Sequence, residues 1–247
     1  MISPRAEQLL LMSTVGNLQN DFLGKRIARW SNLNLLEGSP KVNGAATLQI
    51  REQMEVQALL YASTNTDLPR LADFLSVAYM TSPGQILEWT ARSTQLPMLT
   101  AGQKPIVAER SVMLGAITNQ SFDPAKEVYV GPEAAQWLEA SNGIDAKILS
   151  RRFTAHRVEA TVATPAPTVL VVAQSYYPAW HAYVDGKPAQ LLRANHAFQC
   201  VPVPTGQHHV EIVYQDRAFG WGAMMSGACL LVCATILAAK PRKESSP

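Results

Sequence analysis

Hydrophobic positions along the chain change their period several times. Over residues 1–43 no period is sustained: the stretch is rich in Asn, Gly and Leu, with Asn17, Asn20, Asn32, Asn34 and Asn43 at turn positions. Residues 44–62 switch to strong helix formers. Leu48, Met54, Ala58 and Tyr61 fall on one side with Arg51, Glu52 and Glu55 outside, which predicts an amphipathic helix. Asp67 is placed to cap a second helix, which carries Pro69 early and runs to Leu75. Val77–Met80 reads as a buried strand stopped by Ser82-Pro83-Gly84. Strands at 105–109, at 111–115 and after the Phe122-Asp123-Pro124 turn come next. A brief helix at 133–140 closes on Ser141-Asn142-Gly143, with Gly143 suited to a left-handed cap.

From Ala146 short strands follow one another at 146–153, 156–163, 168–174, 179–185, 188–194, 197–203 and 207–215. Asp185-Gly186 between alternating runs is a strong hairpin signal, and Pro204-Thr205-Gly206 marks the next turn. This spacing predicts an antiparallel β-sandwich. The last change comes at Ala218, where an uncharged run begins that ends only at Lys240-Pro241-Arg242-Lys243. A helix over 218–239 reaches about 33 Å, against a bilayer core of about 30 Å. The expected fold is α+β: a small α/β region over 1–143, the sandwich over 144–216, a transmembrane helix over 218–239 and a basic tail over 240–247.

Charge and cysteine usage narrow the picture further. A net charge of +2 with 16% charged residues gives no electrostatic footprint for nucleic acid. Cys229 and Cys233 share a face of the apolar run and Cys200 stands alone in a strand, so three cysteines make no disulfide framework. The basic tail assigns the C-terminus to the cytoplasm and the bulk of the chain to the outside. Met1–Met12 is no signal peptide, because its apolar stretch is too short and Glu7 interrupts the approach to it. Two readings answer that conflict: membrane segments upstream of this sequence, which is the expectation, or a tail-anchored protein with a cytoplasmic bulk. Gly222/Ser226 and Ala223/Gly227 give the helix small-residue pairs that let neighbouring membrane helices approach.

The stretch Tyr176-Tyr177-Pro178-Ala179-Trp180, Val184-Asp185-Gly186, Pro188, Arg193-Ala194-Asn195, Ala197-Phe198 and Val201–Gly206, placed before a last apolar helix, resembles the C-terminal extracytoplasmic domain of bacterial YfhO-type membrane proteins. Pro69–Tyr79 and Phe122–Val128 resemble that family's helix-to-strand element and its Phe-Asp-Pro turn. Together they extend the resemblance over about residues 15 to 240. Ala179, where the family often has Gly, and His181 are mild departures. The resemblance implies a multi-pass glycosyltransferase of the bacterial cytoplasmic membrane with a GT-C-like core. Such an enzyme draws on a polyprenyl-phosphate sugar donor and serves a cell-envelope glycan. Its catalytic acid lies in an early loop with no counterpart in this sequence, so no catalytic residue is assigned and no cofactor is expected.

Five residues stand out as candidates for contact with glycan or lipid: Tyr176, Tyr177, Arg193, Asn195 and His196. Aromatic faces stack on sugar rings, and a guanidinium binds phosphate or hydroxyl oxygens. On one extended strand Tyr176 and Trp180 would share a face and Tyr177 the other, with Trp180 the central core residue. Asp185 and Gly186 are explained by the turn, which needs positive φ at both positions. His208 and His209 point to opposite faces and cannot chelate one metal, so no metal site is expected. No nucleophile elbow, P-loop or dinucleotide fingerprint occurs. The alternative reading is a non-enzymatic, membrane-anchored sandwich that binds protein or glycan.

Overall fold

A computed structural model describes residues 1–12, 16–42, 44, 49–62, 68–82, 87–139 and 142–239, and among these described residues there are thirteen strands and six α-helices. The helices are α1 (Pro4–Leu11), α2 (Leu18–Ile27), α3 (Arg51–Ala62), α4 (Pro69–Phe74), α5 (Arg110–Ile117) and α6 (Arg217–Ala239). The early strands are β1 (Tyr79–Thr81), β2 (Trp89–Ala91), β3 (Leu99–Ala101), β4 (Lys104–Val107) and β5 (Glu127–Val130). The later ones are β6 (Lys147–Phe153), β7 (Arg157–Thr164), β8 (Thr168–Ser175), β9 (Trp180–Val184), β10 (Lys187–Ala189), β11 (Leu192–Ala194), β12 (Phe198–Val203) and β13 (Gly206–Tyr214).

Two sheets face each other. One is antiparallel throughout, in the order β10-β9-β13-β7-β6; the other runs β3-β8-β12-β11-β5-β4, antiparallel except where β4 meets β5. Val158, Ala160 and Val162 of β7, Trp180 and Ala182 of β9 and Val210 and Ile212 of β13 point inward from the first sheet. Leu170, Val172, Val201 and Val203 meet them from the second. The outer face of the first sheet is polar: Arg157 bridges Glu159 and Glu211 at 3.4 and 3.0 Å. One solvated face and one buried face produce the clean alternation that makes these strands readable.

The second sheet is buried on both sides, so the fold is a sandwich with a helical layer added. Val169, Val171, Phe198 and Cys200 turn away from the sandwich and pack on Val56 and Leu60 of α3, Leu71 and Phe74 of α4 and Ile117 of α5. β8 therefore reads Val-Leu-Val-Val without alternation. Strands β3, β4 and β5 come from before residue 143 and complete this sheet, so the two regions share one core. Burial raises the Cys200 thiol to about 12, which leaves it an inert apolar filler.

Several expected elements differ. The described part of residues 1–43 contains two α-helices and a 3-10 turn at Leu33–Glu37: Ser3 caps α1 with Pro4 in its first turn, and Asn17 caps α2 through the Asn20 amide. Residues 111–115 are part of α5, because Met113 and Ile117 are buried at helical spacing while Val112 is 58% exposed. In α3 the core side is Val56 and Leu60; Met54 is exposed, and Glu52 faces the protein because basic side chains meet it there. β1 is shifted to Tyr79–Thr81 and pairs only with β2, leaving Tyr79 exposed. The cap of α4 is Leu68, without a side-chain bond. The expected 133–140 helix is a 3-10 turn over Pro132–Trp137 capped by Leu138, not Gly143. The expected 188–194 strand splits: β10 stays in the first sheet and β11 enters the second. Asn43, residues 45–48, Asp67, Pro83-Gly84, Ser141 and the tail 240–247 lie outside the described residues.

α6 is long and apolar enough to cross a membrane, and none of it is buried against the rest of the chain. Asp216 caps it, its carboxylate accepting from the Ala218 and Phe219 amides at 2.9 and 3.1 Å. Such a helix, apolar all round, has lipid or other helices as its surroundings.

Candidate functional site

The Tyr-Tyr-Pro segment is a loop, not a strand. β8 ends at Ser175 and β9 begins at Trp180, so strand parity does not govern Tyr176 and Tyr177. The Tyr176 amide donates to the Ala197 carbonyl at 2.7 Å, which holds the loop beside the end of β11. The half-buried Tyr176 ring carries the Arg193 guanidinium at 4.7 Å. Tyr177, 45% exposed, stacks on Tyr214 at 6.4 Å with the rings 20° apart. Trp180 lies in the core between the sheets and meets the same Tyr214 edge-on at 5.3 Å. Tyr214 is the last residue of β13, just before the cap of α6. The aromatic loop therefore sits at the end of the sandwich from which the membrane helix departs.

Arg193 in β11 reaches across the sheet to α3, where its Nη1 lies 2.5 Å from Glu52 Oε1; the two side chains are 18% and 15% exposed. Arg110 approaches the same carboxylate at 3.5 Å. Burial pushes the Glu52 carboxyl up, but a backbone hydrogen bond and the two guanidiniums outweigh it and hold it below the ordinary value. Tyr176, Tyr177, Pro178, Arg193, Glu52, Gln49 and Ile50 line one concavity of about 380 Å³. It offers an aromatic wall, a carboxylate that accepts hydroxyls and a guanidinium that donates to oxygen. That donor and acceptor set suits the ring and hydroxyls of a sugar.

Asn195 and His196 do not line this concavity. Both have positive φ, 44° and 73°, and turn the chain between β11 and β12. Asn195 exchanges bonds with Tyr129: its amide donates to the Tyr129 carbonyl at 2.7 Å, and its side-chain oxygen accepts from the Tyr129 amide at 2.9 Å. His196 Nε2 lies 2.6 Å from Glu55 Oε2, so the turn also fastens α3. The Arg-Ala-Asn-His run thus holds the helical layer to the sheet through Glu52 and Glu55. Neither acid stood out in the sequence, where both read as outward-facing helix charges.

Asp185 and Gly186 have φ of 51° and 73° and form the turn between β9 and β10. The Asp185 carboxylate accepts from His208 Nδ1 at 2.6 Å and from the His209 amide at 2.8 Å. His208 Nε2 also lies 3.0 Å from the Thr205 carbonyl, so both ring nitrogens donate and the imidazolium is favoured. The bond to Asp185 raises His208 above 6.5, and the same bond holds Asp185 below 3.8. A raised histidine stabilises the fold fully below its unfolded value and loses that contribution as pH climbs through the folded one. The lowered carboxylate contributes above its unfolded value and loses it as pH falls through the folded one. Both describe one interaction, which is strongest in mildly acidic solution. An imidazole NMR titration is expected to place His208 above 6.5, with Asp185→Asn bringing it down. A wild-type midpoint at or below 6.5 refutes the pairing.

Among the described residues no three His, Cys, Asp or Glu side chains converge as a metal site. Residues 139–226 match the family model described as bacterial membrane protein YfhO. The matched region runs from β6 to the first half of α6 and contains the aromatic loop, the Asp-Gly turn and Arg193, but not α3. No curated protein matches the chain.

Proposed function

We propose, from the premise that residues 139–226 form a YfhO-type membrane-protein region, that the chain binds the saccharide of a lipid-linked donor at the bilayer surface. In this reading the bulk of the chain lies outside the bacterial cytoplasmic membrane and the 240–247 tail lies in the cytoplasm. α6 packs with upstream membrane helices of the same protein, which perform the transfer to a cell-envelope glycan. The observation that carries the reading is the Tyr177–Tyr214 stack, which seats the Tyr176–Arg193–Glu52 concavity beside the start of α6. A lipid-linked sugar presents its headgroup at that height, and Tyr177 offers it an exposed face.

The test uses the whole chain in lipid nanodiscs carrying either polyprenyl-phosphate hexose or polyprenyl phosphate alone. The hexose form is expected to bind, and Tyr177→Ala is expected to weaken it by about 10-fold, in keeping with loss of one aromatic contact worth about 1.4 kcal/mol. Tyr177 is exposed, so the variant folds. Equal binding of both lipids, or binding indifferent to Tyr177→Ala, sinks the sugar reading. A protein partner cross-linked to the same face would instead favour the non-enzymatic binding module.

A further inference from the structure

A second cavity lies on the other side of the α3 N-terminal turn, shares no lining residue with the first, and differs from it in charge. Its volume is about 430 Å³, within the range of sites for small ligands. Arg29 and Lys41 line it together with Trp89, Tyr79, Gln53, Gln174 and Ser175, and no Asp or Glu is among its lining residues that the structure describes.

The two cations are incompletely compensated. Lys41 Nζ, which carries three donors, donates to the Ser31 carbonyl at 3.0 Å, its one hydrogen bond among the described residues. Burial lowers its ammonium more than the Glu7 carboxylate raises it, so the charge is only partly offset there. Arg29 holds its guanidinium 5.7 Å from the Trp89 ring and meets Glu37 only loosely, at 3.7 Å. An oxyanion between Lys41 and Arg29 would be bound by charge-assisted hydrogen bonds.

Gln174 adds a second requirement. Its side-chain oxygen is buried with no hydrogen-bond partner among the described residues. Buried acceptors of this kind are rare, and a donor is the natural complement. A chloride or sulfate ion cannot supply one, whereas a hydroxyl can. Trp89 and Tyr79 add aromatic faces of the kind that stack on sugar rings.

We propose that this cavity is a binding site for a saccharide bearing an oxyanion, with Lys41 and Arg29 on the anion and Gln174 accepting from a ring hydroxyl. Two sources share that chemistry, a sugar phosphate and a uronic acid. Calorimetry on the whole chain in detergent would use glucose 1-phosphate and glucuronate as probes, with glucose and inorganic phosphate beside them. Saturable binding of at least one acidic sugar is expected, and the tighter of the two identifies the anion. Lys41→Gln should weaken it at least 10-fold, and Gln174→Glu, which puts a carboxylate beside the anion, more than 30-fold. Lys187→Gln, which removes the same charge from the β9–β10 hairpin, should leave it unchanged, and thermal unfolding of each variant reports whether the fold persists.

The site is overturned if neither acidic sugar binds, or if glucose binds as tightly as they do. Phosphate binding as tightly as glucose 1-phosphate overturns the saccharide, leaving an anion site. Binding that survives Gln174→Glu in a folded protein overturns the location. None of these outcomes touches the Tyr177 site, whose own variant is read with polyprenyl lipids.

Discussion

Phe198→Ala is expected to lower the unfolding free energy by about 3–5 kcal/mol, the usual cost of removing a fully buried aromatic ring. Phe198 is 1% exposed and meets Phe74 of α4 edge-on at 4.8 Å. It belongs to β12, in the middle of the six-stranded sheet, on the face turned to the helices. Its loss would remove the transfer energy of the ring and leave a cavity where three elements meet, with backbone-paired strands on one side that cannot close in. Urea unfolding of the detergent-solubilised chain, followed by tryptophan fluorescence, gives the number. Tyr177→Ala is the contrast. Its ring lies on the surface, and a change within about 0.5 kcal/mol is expected. A Phe198→Ala loss below about 1 kcal/mol would mean that the helical layer is not packed on the sheet as described.

That layer is also where sequence and structure part company. In β7, β9 and β13 one face is core and the other water, so the side-chain period is written directly into the residues. The Asp185-Gly186 turn was equally plain, because only certain residues accept positive φ twice in succession. β8 and β12 are buried on both faces, and they could be recognised as strands only by length and punctuation. Their second partner, the helical layer, left no mark in them. The Glu52–Arg193 and Glu55–His196 contacts could not be read locally, since the latter pair is 141 residues apart. A carboxylate on an amphipathic helix looks solvent-facing until the sheet brings a guanidinium to it. The aromatic loop lay between these cases: its residues were conspicuous and the strands expected at 168–174 and 179–185 left a gap there, but the stack of Tyr177 on Tyr214 joins positions far apart in the chain and could not be read locally. In α5 the period differs from the expectation: the strand expected at 111–115 is helix, with Met113 and Ile117 buried four residues apart.

The second large effect concerns α6. Ala228→Arg puts a guanidinium at the middle of the helix, where insertion scales charge about 3 kcal/mol, or roughly 100-fold in the ratio of spanning to non-spanning chains. The estimate applies because all of α6 is free of the rest of the fold, so nothing in the described chain can pair with the new charge. Ala218→Arg, at the helix start beside Arg217, is expected to change little, since an arginine there reaches the headgroups. Protease protection of the span after insertion into membrane vesicles, with alkaline extraction as a second reading, separates the two variants. If Ala228→Arg inserts as well as the parent and resists extraction, α6 is not surrounded by lipid at its midpoint. In that case its centre is enclosed by other membrane helices with a polar lining. That result would turn the small pairs at Gly222/Ser226 and Ala223/Gly227 from a packing expectation into the place to look for the neighbour. Sensitivity at 228 without sensitivity at 218 makes α6 a lipid-embedded span and sets the aromatic loop, held by Tyr177 against Tyr214 three residues before that helix, at the bilayer surface.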